Sequence, residues 1–297
     1  MLLEDHSDWE ILYYIYDMVD DLLEIISPIA TQKFLVNQNN RGGRPPQLDL
    51  ASVISLGIFK FALGTEDTKH YHRILLWHYN DQLGKIPTYA NFNRLLNQSL
   101  PWTIMILQLL MHRNKSSSEA LYFIDSTSLK ACENKRIFHH KVLDGIAARG
   151  KTSMGWFYGL KLHMACNAHG DLVSMLFTPG NIDDRRPVKK LLKQLKGLVV
   201  ADAGYVSTAL MKELSQQGIT FITDVRKSMK RLMTPIQHAL LKLRQRAEIV
   251  FSNIKYRLSA VQTKARSPVG YFRRCIFACL TYLIQRSFLA ETKYLTP

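Results

Sequence analysis

The chain has little of what marks several large protein classes. It holds only four cysteines, Cys132, Cys166, Cys275 and Cys279, without zinc-site spacing, and they read as reduced, mostly buried thiols of a cytoplasmic protein. Long apolar runs are missing: the two longest, 104–111 and 275–284, are flanked by charge and fall well short of the roughly 20 residues that cross a bilayer. No membrane partner is therefore expected. A basic leader is absent too, since the chain begins with acidic Glu4 and Asp5, and no signal peptide is expected. Residues 1–30 contain no Lys or Arg at all, only eight acids; all 39 basic residues and the other 16 acids lie beyond them. The formal charge of +15 thus understates how basic the rest of the chain is. Such a surface favours a polyanion, with affinity that falls steeply as salt rises.

Punctuation divides the 297 residues into two expected domains. Helical periodicity runs over 7–35, and a Gly, Pro and Asn-rich linker follows at 37–47. Arg44 in that linker could lie in an A·T-rich minor groove or simply on a surface. Helix-like segments at 49–63, 66–79 and 88–113 allow a helix-turn-helix, with Thr88, Tyr89, Asn91, Asn93 and Arg94 as groove contacts, although any small helical bundle has this pattern. Serines at 116–118 mark the boundary. The first domain, 1–115, is expected to be all-α and to bind DNA; the second, 119–292, is expected to be α/β. Its strands are read at 120–129, 157–167, 171–178, 198–202 and 219–225 and its helices at 184–195, 207–217 and from 234, with a last amphipathic helix after Ser267 and Pro268.

Three acids stand out in that second domain. Asp125 sits inside the apolar strand 120–129, and Asp202 ends the apolar strand 198–202 before Gly204. An acid in such a strand is costly unless compensated. Glu248 lies on a helix whose start is fixed by Thr234 at N-cap, Pro235 at N1 and Gln237 at N3. At about 100° per residue, Arg244, Glu248 and Lys255 border the apolar stripe of Leu240, Leu243, Ala247, Phe251 and Ile254. Each acid alone has an ordinary explanation, a strand-end turn for the aspartates and an i,i+4 ion pair for Arg244 and Glu248. Three carboxylates on three core elements are harder to explain as caps.

The residues Ile124 to Thr127, Ala201 to Tyr205, Arg244 with Glu248 and Lys255, Gly159 to His163, and Thr178 to Asp184 together resemble the DDE-type transposases of bacterial insertion sequences, in particular insertion-sequence family nine-eight-two. The likeness covers roughly 120–290. A Tyr often found in that wider group three positions before the Arg is Leu241 here, so its role does not carry over. The resemblance implies an RNase H-like core of the retroviral integrase superfamily, preceded by the all-α domain. It also implies that Asp125, Asp202 and Glu248 are catalytic metal ligands, for two Mg²⁺ or Mn²⁺ ions. Terminal inverted repeats and target DNA would be the partners. Homo-oligomers would assemble on the DNA, in the cytoplasm beside the nucleoid. Arg244 and Lys255 would hold transposon-end phosphates. Lys161 and His163, alternating with Leu160, Leu162 and Met164, are expected on one strand face, touching phosphates or solvent.

Two other readings compete. Gly145, Gly150, Lys151 and Thr152 fit the pattern of a phosphate-binding loop, but that loop must open a helix, and Gly155 and Gly159 break the segment that follows. The same stretch, with Lys130, Arg136, Lys141, Arg149 and Lys151, suits tracking of a DNA backbone better. A DNA-binding protein without chemistry is the second alternative. Asp183 and Asp184 are explained by capping of the helix after them, and Asp184 is the reserve candidate for the site.

Overall fold

The computed structural model describes residues 6–34, 47–116, 120–153, 155–224, 234–257 and 265–292. The chain forms two compact units, Met1–Leu109 with Val269–Pro297, and Leu110–Pro268. Most of the expected linker, Arg44 included, lies outside the described residues. No helix among those described is long and apolar enough to cross a membrane.

The first unit is helical. α1 (Asp8–Phe34) starts at a capping box in which the Ser7 N–H donates to Glu10 at 2.7 Å and the Glu10 N–H returns to the Ser7 hydroxyl, an arrangement that satisfies two otherwise orphaned donors. α2 (Leu50–Ala62) is capped by Asp49 and α3 (Thr68–Ile74) by Asp67. A π turn over Leu75–Tyr79 leads into the short α4 (Asn80–Leu83), and α5 (Tyr89–Gln98) and α6 (Leu100–Ser116) follow. α2 packs against α1 and α5.

The last helix, Pro268–Thr292, begins at Pro268 as expected, and it packs with these helices. Its Phe277 comes so close to Gly57 that a Cβ there would lie 2.3 Å from the ring. Its Arg273 donates to the Asn93 carbonyl and to the Asn93 and Asn97 side chains at 2.7–3.1 Å. The second unit ends at Pro268, and the residues from Val269 group with the first unit.

The second unit is built on one mixed sheet of β1 (Leu121–Cys132), β2 (Ala148–Thr152), β3 (Gly155–Asn167), β4 (Leu172–Pro179), β5 (Gly197–Ala201) and β6 (Ile219–Thr223). The order is β2, β3, β1, β5, β6, with β4 also on β3. β1 runs antiparallel to β3 and parallel to β5. β2 and β4 share the far edge of β3, along 155–159 and 160–166 respectively. α7 (Val188–Leu191) is much shorter than the helix expected at 184–195, because Asp183 and Arg185 close a tight turn before it. α8 (Thr208–Gln216) follows β5, α9 (Pro235–Leu243) has the full capping box of Thr234 and Gln237, and α10 is Gln245–Ser252.

The two faces of the sheet follow from alternation. Tyr122, Ile124, Ala165, Val199 and Ala201 are buried with Val188, Leu191, Leu210 and Leu214 of α7 and α8. Phe123, Asp125, Val200 and Asp202 have the opposite parity. α10, whose Ala247, Val250 and Phe251 are all buried, packs on β1 and β3 without joining that cluster, so it covers the face of Asp125.

Candidate functional site

The first two acids lie on neighbouring strands. Tyr122 pairs with Val199 and Phe123 with Val200; Asp125 lies two residues further along β1 and Asp202 directly after the end of β5, near enough for the charge of Asp202 to act on Asp125. Both are held by the residue after them: the Ser126 N–H donates to Asp125 at 2.8 Å and the Ala203 N–H to Asp202 at 2.7 Å. Burial pushes the Asp125 carboxyl up to about 6; Ser126 and Arg244 oppose that, while Asp202 and Asp184 add to it.

The third acid arrives on the helix, which is not continuous. At Arg244 the hydrogen bonds tighten to i,i+3, with Arg244 N–H on Leu241 and Ala247 N–H on Arg244, and after Ser252 the chain loosens into a π turn, Asn253–Arg257. A single 100° spacing therefore fails between Glu248 and Lys255, and Lys255 is half-buried rather than aligned with Glu248 by helical period. Arg244 itself is central. Its guanidinium lies 3.3 Å from Asp202 and 2.7 Å from Glu248, so one cation joins two of the three carboxylates.

Tyr205 is buried; its hydroxyl bonds the Ser126 side chain, and burial together with Asp125, Asp184 and Asp202 drives its ionisation well above the usual range. It stays a neutral phenol. The signal for it was its place three residues after Asp202.

Lys161 and His163 are not at a surface: they are 8% and 1% exposed. Lys161 donates to the Ile182 carbonyl at 2.9 Å and to Asp184 at 3.0 Å. His163 bonds the Thr178 hydroxyl at 2.9 Å, and burial lowers its pKa to about 4, leaving a neutral ring. Neither side chain is placed to meet a phosphate. Asp183 takes Arg185 through both carboxylate oxygens at 2.6 and 2.8 Å, as a turn residue would. Arg94, Arg136 and Lys151 are exposed, and Arg94 donates to Asn91 and Gln98. The phosphate-binding loop is excluded: Gly150, Lys151 and Thr152 lie in β2, paired to β3, where no helix start is available to hold a phosphate.

Hard oxygens from Asp125, Asp202 and Glu248 suit Mg²⁺ or Mn²⁺ by chemistry, and the Thr127 hydroxyl, on the face of Asp125, is buried without a protein partner. Among the described residues no three His, Cys, Asp or Glu side chains stand close enough to hold a metal ion. Glu248 is instead paired with Arg244.

A profile of the family described as transposase DDE domain matches residues 115–268. No curated protein matches the chain. Among solved structures the chain is similar to a piggyBac transposase, seen by cryo-EM as a synaptic complex with hairpin DNA, at a TM-score of 0.51 and 12% identity over 97% of this chain and 76% of that one. At that identity the likeness is one of fold.

Proposed function

The chain belongs to the transposase DDE domain family, and from that premise we propose that it binds the terminal inverted repeats of an insertion sequence, cuts the DNA strands there and joins them to target DNA. The observation that carries this reading is that Arg244 pairs with both Asp202 and Glu248 and, with Asp202, acts on the buried Asp125, so that the three acids gather around one cation. The sheet, an antiparallel set followed by parallel β5 and β6, supports an RNase H-like core of the retroviral integrase superfamily. The sequence motifs support the finer placement in insertion-sequence family nine-eight-two.

Asp125, Asp202 and Glu248 would hold two Mg²⁺ or Mn²⁺ ions, which supply a nucleophilic hydroxide from water and stabilise the leaving 3′ oxygen during in-line attack at phosphorus. The protein's own groups do the rest. Asp125 gives up its proton near pH 6, so its carboxylate is available to a cation around neutrality. Arg244, released from Glu248, turns its fixed fork of donors to a phosphate of the DNA end. Tyr205, kept neutral by burial, holds the Ser126 side chain next to Asp125 without competing for a cation. Arg94 and the helices around it contact the terminal repeats, Arg136 and Lys151 track backbone phosphates, and Lys255 supports the end beside Arg244. Copies of the chain assemble on the DNA, in the cytoplasm beside the nucleoid.

Incubation of the purified protein with labelled terminal-repeat DNA and Mg²⁺ tests this. Nicking at the repeat boundary, dependent on the metal, is the expected result; binding without cleavage under Mg²⁺ and Mn²⁺ would instead favour a DNA-binding protein without chemistry.

A further inference from the structure

Far along β3 from the acids lies a feature that the strand-cutting reading does not use. Trp156 is 52% exposed, although an indole ordinarily contributes by burying 150–250 Å². Its directly paired neighbour on β2 is Lys151, and Arg149 is two residues further along. Both cations lie over the ring, Arg149 at 5.0 Å and Lys151 at 5.6 Å from its centroid. The Asn134 amide donates to the Trp156 carbonyl at 2.8 Å and so ties the 3₁₀ turn Asn134–His139 to this strand. That turn carries Phe138, 96% exposed. Two open aromatics in adjoining elements, one of them flanked by cations, form the combination that binds unpaired nucleic-acid bases: aromatic faces stack the base while the cations hold its phosphates.

Alternation along β3 gives Trp156 the parity of Met164, the register partner of Asp125. The indole therefore shares the face of the acids, eight residues of strand away, about 26 Å, or close to eight steps of B-form duplex at about 3.4 Å each. We infer that Trp156, with Arg149 and Lys151, is a stacking subsite for an unpaired base in a single-stranded segment of the DNA that the acidic site works on. This rests on the proposed action on DNA, and the test separates the two.

Binding is measured for three probes at fixed salt: a blunt duplex, the same duplex with a ten-thymine overhang, and that overhang made abasic. The unaltered protein should prefer the thymine overhang to the abasic one, a comparison that needs no variant. Trp156→Ala should lose roughly tenfold on the thymine overhang, with blunt and abasic affinities unchanged, and Trp156→Tyr should restore most of the loss. Equal binding of thymine and abasic overhangs by the unaltered protein, with blunt duplex still bound, would assign the patch to backbone contacts and overturn the subsite alone. Failure to bind any of the three would overturn the proposed action on DNA as well.

Discussion

Arg244 stands 3.3 Å from Asp202, near enough to neutralise a carboxylate whose charge acts on Asp125. The same guanidinium bonds Glu248 at 2.7 Å. An arginine is a natural counter-charge for closely placed acids, because like charges so near each other cannot all ionise without cost. A metal and Arg244 would then compete for the same oxygens, and the consequences can be measured.

Replacing each acid by its isosteric amide should stop cleavage and spare binding. For Asp125→Asn, Asp202→Asn and Glu248→Gln, Mg²⁺-dependent nicking should fall by roughly a hundredfold or more, beyond the 10–100-fold typical of groups behind the ligands. A gel-shift assay should show DNA affinity nearly unchanged. Normal nicking by any one purified variant removes that residue from the site.

The Asp125 carboxyl is raised from 3.8 to about 6 by burial, and this sets a pH dependence with a definite sign. An acid whose folded pKa lies above its unfolded one binds more protons when folded, so it favours folding at pH below 3.8 and that contribution is lost as pH rises toward 6. Without metal, the melting temperature of the protein should fall relative to Asp125→Asn between about pH 4 and 6. Mn²⁺ affinity should rise over the same window, because the ligand must be deprotonated. A melting difference that stays flat with pH would show that Asp125 titrates normally.

Legibility in the sequence varied with the kind of signal. The Thr234 and Gln237 capping box is local chemistry, and the structure has it as read. β1 and β5 are buried apolar runs and legible as strands, with Asp125 inside the first, but β1 runs on to Cys132 and β5 stops at Ala201, one residue before Asp202. β2 was missed because Arg149, Gly150, Lys151 and Thr152 show no apolar alternation; only pairing with β3 makes them a strand. The break at Arg244 left no mark, since nothing there is Gly or Pro. Alternation gave the parity of Lys161 and His163 but could not tell whether their face is covered, and it is. The last helix showed an apolar face without showing which partner it meets, and the partner was α2.

Lys161 is the clearest place to test that difference. If it serves Ile182 and Asp184 rather than DNA, Lys161→Ala should lower stability by about 2 kcal/mol, the cost of leaving buried partners unsatisfied. The dependence of DNA affinity on salt should not change. A phosphate contact predicts the reverse: a shallower salt slope and little loss of stability.

Lys255 is half-buried on the π turn. As a phosphate contact it should, when changed to Ala, weaken end binding and reduce the slope of log K against log salt by about one unit. Titration of both proteins against terminal-repeat DNA at several salt concentrations decides this. Equal slopes and affinities would leave Lys255 with a structural role in the turn.

The return of the helix Pro268–Thr292 to α2 bears on synthesis. A ribosome makes the first helices early, and domains usually fold as units in the order in which they emerge. Here Gly57 and Ile58 wait for Phe277 and Thr281, more than two hundred residues later. During that interval the apolar groove of the first unit has no cover, whereas the whole sheet can be completed. The unit made first is thus the one that finishes last, and a stop codon anywhere before the final helix would leave the N-terminal helices as the exposed, aggregation-prone part of the truncated chain.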